Sequence, residues 1–465
     1  MKIKRLSAIY FLLDLFGSAA ALIIFYSLMI KTGMAQPVST TVSLFELAIY
    51  SIFWTVLYAM TGFYHVSLKR SRLAELIYSF IVTLFGVMIC FLVMIFYEHV
   101  IITSIIYPGS LVLLFVLQFT LTYFTRLTVT STTARKVHKG YWGYNTIIIG
   151  SNGKAADILR KIKQEKIPSG NIISGYVYHG QEDSGVLKTQ LESLGSTDDL
   201  QKIILEKNIE EVIIAIEENE HGILGEIIDK LEYTDITIKA IPSLRDILTG
   251  RVRQSSIFGT PLLEIQNKPM SVWQSNIKEI MDYLVAFSLL LIMLPVIIIL
   301  AVIIKLHDGG RVIYSQERTG KDGRQFRIYK FRSMRENAEN DEPLLSGRND
   351  ERVTPVGRFM RKHRLDEVPN LVNVLRGEMS LVGPRPERKY FIDQIVRKAP
   401  HYRRLHRVKP GITSWGQVKF GYATSVDEMI ERMEYDILYI ENMSLLIDLK
   451  ILIYTAITIL KGKGV

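Results

Sequence analysis

Asp366 and Glu367 stand side by side, separated only by Leu365 from the run Arg361, Lys362, His363 and Arg364. Guanidinium groups hold phosphate through paired charge-assisted hydrogen bonds, so this run could keep a carboxylate ionised and an anion beside it. A carboxylate next to bound phosphate has two chemical uses, attack on phosphorus or coordination of a metal ion. Pro369 suits the first turn of a helix, and Leu371, Val372 and Leu375 would form its apolar face. That spacing predicts Asp366 at the N-cap, and capping alone would explain an isolated aspartate there. The basic run and the second carboxylate argue for more. Adjacent helical residues point about 100° apart, so the two carboxylates suit different tasks better than one shared proton.

Three further stretches carry cationic or rigid features. Gln316-Glu-Arg318 is followed by Lys330-Phe-Arg332-Ser-Met334, and Gly377-Glu-Met-Ser-Leu-Val-Gly-Pro-Arg385-Pro386 places one arginine between two prolines. A stiff backbone aims an arginine fork, which favours phosphate recognition at Arg385 over a free surface charge. Val408-Lys-Pro-Gly-Ile-Thr413 is a turn that presents Trp415 and Gln417, and either of these could equally be packing.

The elements that must position these residues follow from charge and hydropathy. The 465 residues carry a formal charge of +10, and 48% of them are hydrophobic. The charge is unevenly spread: +7 over residues 1–144, −6 over 145–304 and +9 over 305–465. One cysteine, Cys90, excludes an internal disulfide framework and any cysteine-based zinc site. Four apolar runs, about Ile9–Ile30, Leu44–Tyr64, Leu76–Tyr97 and Thr103–Phe124, are each near the length that crosses a bilayer as a helix. The first is too long for a cleaved signal peptide, and three more follow it. Lys2, Lys4, Arg5, Lys69, Arg70, Arg72, Arg126, Arg135, Lys136 and Lys139 flank them on one side. The positive-inside rule then puts the N-terminus and everything after residue 125 in the cytoplasm. Asp14 lies within the first run, and its nearness to Lys4 and Arg5 suggests an interfacial place at a helix start.

From Asn145 strands and helices alternate, which predicts a parallel sheet with helices on both faces. Thr146–Gly150, Gly175–Tyr178, Val212–Ile216 and Ile236–Ala240 read as strands, with helices such as Lys154–Gln164 and Thr197–Lys207 between them. Gly150-Ser-Asn-Gly153 keeps part of a dinucleotide fingerprint, with Ala155 where the third glycine would stand. The glycines could equally serve a tight strand-to-helix turn. A fifth apolar segment, Ile280–Ile304, has Pro295 at its centre, where a proline breaks or kinks a helix. A full crossing would carry the basic end outside. A hairpin that enters and leaves on the cytoplasmic face fits both observations.

Residues 278–465 closely resemble the bacterial sugar transferase family, the monotopic phosphoglycosyl transferases that begin polysaccharide assembly on polyprenyl phosphate. The matching blocks are Lys-Phe-Arg-Ser-Met, the Asp-Glu pair with Pro369 and Asn373, Gly-Glu-Met-Ser-Leu-Val-Gly-Pro-Arg-Pro and Lys-Pro-Gly-Ile-Thr. The front end resembles the long hexose-1-phosphate branch by architecture. The resemblance implies that Asp366 attacks the β-phosphate of a UDP-sugar, UDP-glucose or UDP-galactose foremost, and releases UMP. Undecaprenyl phosphate then takes the phosphosugar, the first step of an exopolysaccharide, capsule or O-antigen unit. It also implies Glu367 as the Mg2+-associated carboxylate, and Arg361, Arg385, Lys330 and Arg332 as phosphate contacts. Pro295 and Gln417 would position substrate or lipid. Leu294, Asn370 and Ser414 depart from common family residues, and none removes a presumed chemical group.

The expected fold class is a membrane protein, α plus α/β. Residues 1–140 form four transmembrane helices, 141–265 a Rossmann-like cytoplasmic domain, and 266–465 a mainly helical catalytic domain anchored by a re-entrant helix at about 280–304. The expected setting is the bacterial cytoplasmic membrane, multi-pass, with the N-terminus and both later domains in the cytoplasm. Expected partners are the UDP-sugar, undecaprenyl phosphate and membrane lipid. A homodimer through the membrane or middle domain would give the middle domain a role. Nucleic acid is excluded, because no RNA-recognition aromatic signature or free helix-turn-helix accompanies the charge. The competing class is a membrane-anchored nucleotide sensor or scaffold, for which Asp366→Asn would leave function intact.

Overall fold

The structure is a computed structural model. It describes residues 2–32, 42–97, 108–165, 168–180, 183, 185–216, 221–231, 234, 236–242, 262–265, 269–335, 350–421 and 423–460. The chain divides into two compact units. The first comprises Met1–Ser196, Ile203–Ile216 and Lys239–Glu264; the second comprises Thr197–Lys202, Glu217–Ile238 and Ile265–Val465.

The first unit begins with helices α1 (Lys2–Lys31), α2 (Leu44–Met60), α3 (Arg72–Tyr97) and α4 (Pro108–His138). By length and composition α1, α3 and α4 can cross a membrane, whereas α2 is apolar but only 17 residues long. A capping box starts α2: Ser43 Oγ accepts from the Glu46 amide (3.2 Å), and Glu46 returns the bond to the Ser43 amide (2.9 Å). Trp54, Tyr58, Phe63, Val87 and Leu114 fill the space between the helices.

Asp14 is not at an interfacial helix start. It lies well inside α1, fully buried, and the guanidinium of Arg126 on α4 donates Nε (3.1 Å) and Nη2 to its two oxygens. Arg126 Nη1 also donates to Glu75 Oε1 (3.2 Å), and Arg70 Nε closes the set on Glu75 Oε2 (2.6 Å). Phe63 lies 4.1 Å and Tyr10 5.0 Å from the guanidinium carbon, measured to the ring centres. A carboxylate among apolar helices needs a partner more than it needs a helix end.

The sheet follows, with β1 (Tyr144–Ile149), α5 (Gly153–Gln164), β2 (Asn171–Tyr178), β3 (Ser193–Ser196), α6 (Leu200–Glu206), β4 (Glu211–Ile214), α7 (His221–Leu231), β5 (Thr237–Ala240) and β6 (Leu263–Ile265). Its strand order is β3-β2-β1-β4-β5-β6, and β1 pairs in parallel with both β2 and β4. All four predicted strands form, three of them displaced by a residue or two at their ends and β2 beginning four residues earlier than expected; β3, β6 and α7 complete the set. At Gly150 (φ +129) a Cβ would come within 2.3 Å of the Ala215 carbonyl oxygen, so this glycine serves close approach of two strand ends. Asn152 caps α5, accepting from the Ala155 amide at 3.0 Å. The loop after α2 is tied to the start of the sheet: Lys69 Nζ donates to Asn171 Oδ1 (3.0 Å) and to Glu211 Oε2 (3.3 Å), and the Leu68 amide donates to the Tyr144 hydroxyl (2.9 Å). Most of residues 250–270, between the sheet and the next helix, lies outside the described residues.

The C-terminal part of the second unit starts with α8 (Val272–Asp308), a helix of 37 residues. The helix does not break at Pro295; helical backbone continues through it. A proline removes one hydrogen bond and bends a helix, which need not end it. Ala286 and Leu290 pack into the main core with Leu371, Val374 and Ile395, while Leu300 and Ile304 join Phe331 and Met360 in a second cluster. Both halves of α8 are therefore packed on the same unit. The residues around the proline, Ile292, Leu294, Ile298 and Ile299, are exposed. Beyond α8 come the antiparallel hairpin β7 (Ile313–Thr319) and β8 (Gln325–Phe331), α9 (Pro355–Lys362), α10 (Asn370–Leu375) and β9 (Ser380–Val382). The remaining elements are α11 (Lys389–Lys398), β10 (Gly411–Thr413) parallel to β9, α12 (Trp415–Lys419), α13 (Val426–Glu441) and α14 (Leu445–Leu460).

Candidate active site

The Asp366 turn is built by a reversal of the chain. Helix α9 ends at Lys362, and Arg364 adopts a left-handed conformation (φ 58, ψ 19), uncommon for a residue with a side chain. Leu365–Glu367 then form a 3-10 turn that runs into α10. Asp366 is thus not the N-cap of that helix; Pro369 holds that place. The expectation fails because amides one turn on, at Val368 and Leu371, bond back to Leu365 and Val368 carbonyls and carry the tight turn into the helix. Leu365 packs against the cluster of Leu300, Ile304, Phe331 and Met360, so the C-terminal half of α8 sits under the turn.

The two carboxylates have unlike surroundings. Both oxygens of Glu367 face cations: Lys330 Nζ (2.6 Å) and Arg385 Nη1 (3.5 Å) at Oε1, and Arg364 Nη1 (3.4 Å) at Oε2. These charges outweigh burial and hold Glu367 far below the usual carboxylate range. Asp366 is 7% exposed, and its Oδ1 has no hydrogen-bond partner among the described residues. Burial, and then repulsion from Glu367, push its carboxyl upward; Lys330, Arg361 and Arg364 pull the other way. One carboxylate is clasped and the other is left with an open oxygen.

Four of the predicted residues converge here: Asp366, Glu367, Lys330 from β8 and Arg385 from the Pro-Arg-Pro turn. Arg361 reaches the same pair electrostatically, and its Nε donates to Ser333 Oγ (3.0 Å). Ser333 is in turn pinned by α9, because a Cβ on Gly357 would lie 2.0 Å from the Ser333 carbonyl oxygen. Arg332 lies at the end of α8, where its guanidinium fills the place of a side chain at Gly310. Pro295 is within α8. Gln417 lies on α12, its buried Nε2 without a partner, and none of its contacts joins it to Asp366 or Glu367.

Sequence reasoning missed the support behind Arg385. Glu387 is buried and accepts from Arg432 Nη2 (2.7 Å) at Oε1 and from Arg318 Nη1 (3.1 Å) at Oε2, with Arg385 Nε 3.8 Å from Oε1. Those arginines hold Glu387 ionised against its burial. Asn373 was noticed only as part of a motif. Its side chain accepts from the Tyr329 amide (3.2 Å) and donates to the Arg327 carbonyl (2.7 Å), stitching α10 to the strand that carries Lys330. The signal for Glu387 was its place directly after Pro386, two residues beyond the arginine it supports.

The donor set does not fit a lone magnesium ion. Magnesium prefers a near-octahedral shell of oxygens. Here both Glu367 oxygens are taken by cations, and among the described residues no three His, Cys, Asp or Glu side chains cluster as ligands. The arrangement gathers more cationic than anionic side chains around the pair, a surplus that would suit an anion.

The carboxylate pair and the cations around it lie on a unit that includes a long apolar helix. Comparison with known proteins places the chain in a family. The family model described as bacterial sugar transferase matches residues 273–462, and a second, described as CoA-binding domain, matches 59–242. A UDP-galactose-lipid carrier transferase of Erwinia amylovora is 31% identical over 348 residues, covering 70% of each chain. A UDP-N-acetylgalactosamine-undecaprenyl-phosphate N-acetylgalactosaminephosphotransferase of Aeromonas hydrophila is 42% identical over 49% of this chain and 53% of its own. A UDP-glucose:undecaprenyl-phosphate glucose-1-phosphate transferase of Escherichia coli (strain K12) is 33% identical over 62% of this chain and 61% of its own. The chain belongs to the bacterial sugar transferase family. It spans between about half and three-fifths of the length of the Aeromonas and Escherichia relatives.

Proposed function

We propose that the protein transfers a sugar-1-phosphate from a UDP-sugar to undecaprenyl phosphate through a phosphosugar carried on Asp366. The observation that carries this reading is the unpartnered oxygen of Asp366, buried beside a clasped Glu367 and drawn on by three cationic side chains, Lys330, Arg361 and Arg364. The Asp366 oxygen attacks the β-phosphorus, the bond to the oxygen bridging the two phosphates breaks, and UMP departs with that oxygen. An oxygen of the lipid phosphate then attacks the same phosphorus and frees the Asp366 carboxylate. Lys330, Arg361 and Arg385 offset the charge on the phosphate oxygens, and the rigid turn around Arg385 keeps that offset in place. No step is assigned to a metal ion.

The lipid acceptor requires the site to lie near a membrane surface. In support, both halves of α8 pack on one unit while its centre, around Pro295, exposes an apolar face. A helix that enters and leaves on one face, the cytoplasmic face of the bacterial inner membrane, meets that requirement. The flanking lysines and arginines of the front helices orient the N-terminus the same way. The relatives' names span glucose, galactose and N-acetylgalactosamine, so the donor is sought among those UDP-sugars.

The test is purified protein with undecaprenyl phosphate and each UDP-sugar in turn, read by release of UMP and formation of a lipid-linked diphosphate sugar. One donor should give both products, and Asp366→Asn should give neither. Activity retained by Asp366→Asn would favour a scaffold or sensor.

A further inference from the structure

We infer that Asn370 reads the sugar of the donor: its amide oxygen accepts a hydrogen bond from a hydroxyl of the sugar whose phosphate Asp366 attacks. This rests on the proposed transfer and adds a specificity-determining residue to it.

Helical backbone runs from the Leu365–Glu367 turn through Val368 and Pro369 into α10, whose first residue is Asn370. In a 3-10 turn residues three apart stand over one another, and in an α-helix residues three and four apart are neighbours. Either geometry puts Asn370 on the face of the carboxylate pair, over Glu367 or beside Asp366. It is 3% exposed, and its Oδ1 has no hydrogen-bond partner among the described residues. A buried acceptor without a donor costs stability, so packing alone gives no reason to keep one. Asn373, three residues on, shows the structural use of the same side chain. Its Oδ1 accepts from the Tyr329 amide (3.2 Å), and its Nδ2 donates to the Arg327 carbonyl and to Glu378 Oε2, at 2.7 Å each. Asn370 Oδ1 ties nothing together.

The chemistry of that oxygen selects its ligand. Lys330, Arg361 and Arg364 are charged donors, which suit phosphate oxygens. An amide oxygen only accepts, and the ionised phosphates of the donor have no proton to give it. The remaining O–H and N–H groups of a UDP-sugar lie on the sugar, the ribose and the base. Of these, the sugar is bonded to the phosphate that Asp366 meets, whereas ribose and base lie one phosphate further off. An acceptor one helical turn from the attacking carboxylate therefore faces the sugar. Being neutral, it reads the position of a hydroxyl and leaves the charge balance at the phosphates untouched. A site built in this way disfavours an analogue that lacks the hydroxyl, because its own polar group is then stranded.

The experiment uses the full chain in nanodiscs with undecaprenyl phosphate, the UDP-sugar that the wild type transfers, and the analogues of that donor lacking one sugar hydroxyl each. Initial UMP release is the readout. Asn370→Ala should lower kcat/KM for the parent donor about tenfold, the worth of one good hydrogen bond. One deoxy analogue should lose about as much with the wild type and nothing further with Asn370→Ala; the others should lose equally in both. Inhibition by UDP, which has no sugar, should be unchanged, and the melting temperature should hold or rise. Asn370→Gln, which keeps the amide on a longer arm, should place its own loss on the same hydroxyl. Losses that add for every analogue, or a parent-donor kcat/KM equal to that of the wild type, would overturn the assignment and leave the transfer reading standing. Weakened inhibition by UDP would move the partner of Asn370 to the nucleoside, and loss of folded protein in both variants would make the residue structural; each overturns the assignment. If the wild type transfers no UDP-sugar at all, the transfer reading falls and the assignment falls with it.

Discussion

Two buried ionic clusters in this chain are made of the same residue types and differ in how they close. Among the membrane helices Asp14 and Glu75 face Arg126 and Arg70, two acids against two bases, with aromatic rings around the central guanidinium. In the C-terminal unit Lys330, Arg364 and Arg385 all converge on Glu367, and Asp366 beside it keeps an oxygen without a partner. The first set is balanced and shut. The second has surplus positive charge and a carboxylate oxygen without a partner among the described residues. The proposed transfer draws on that imbalance, which the first set lacks.

The contrast breaks most sharply at its two centres. Asp366→Asn should reduce transfer on the order of 10⁴-fold or more, as loss of a nucleophile does, while thermal stability holds or rises because a repelled buried charge is gone. Arg126→Ala should do the opposite. It strands two buried carboxylates and should cost about 3–5 kcal/mol of stability, read as lost folded protein after extraction. The double variant Asp14→Asn with Arg126→Gln should recover part of that loss. If Arg126→Ala folds normally, the membrane cluster is not the lock described.

A smaller effect is expected at Arg385. Arg385→Ala should lower turnover about 10²–10³-fold with membrane insertion unchanged, the scale seen when one stabilising donor is removed. Glu387→Gln should fall in the same direction by less, mainly in turnover, because it loosens Arg385 without removing it. Equal turnover in Glu387→Gln and wild type would make the arginine hub purely structural.

The pH dependence follows from the raised carboxyl of Asp366. A nucleophile must be ionised, so the rate of UMP release in the absence of lipid should fall on acidification at a pH above the ordinary aspartate range. The smallest effect concerns stability. Burial pushes Asp436 up to about 6, and its Oδ1 accepts from the Gly416 amide. Its folded-state value lies above the unfolded one. Its contribution is therefore present below the ordinary aspartate range and is lost as pH rises through about 6. Asp436→Asn should remove that step from a melting-temperature series between pH 4 and 8.

The same two clusters show what the sequence could disclose. The chemistry of Asp366 and Glu367 was legible because its cationic company is local, in the run from Arg361 to Arg364 and in two short motifs. The N-cap reading failed because a left-handed Arg364 and a 3-10 turn intervene, and no nearby residue type announces them. Asp14 was visible as a lone charge in an apolar run, but its partner is 112 residues away on another helix. Glu387 was hidden for the same reason, with Arg318 and Arg432 standing 69 and 45 residues off. The strands of the sheet were readable from alternation with helices, whereas β3, Ser-Leu-Gly-Ser, and β6, Leu-Glu-Ile, offer no apolar run. Pro295 suggested a break in the apolar segment, yet helical backbone continues through it.

The central claim is that the open oxygen of Asp366 forms a bond to phosphorus. The most direct test is to mix the protein with its UDP-sugar, withhold the lipid acceptor, and examine the Asp366 peptide by mass spectrometry. The account predicts UMP release approaching one equivalent and a sugar-phosphate adduct on Asp366, discharged on adding undecaprenyl phosphate. UMP release that occurs only when donor and lipid are both present, with no adduct trapped at any time, would contradict it.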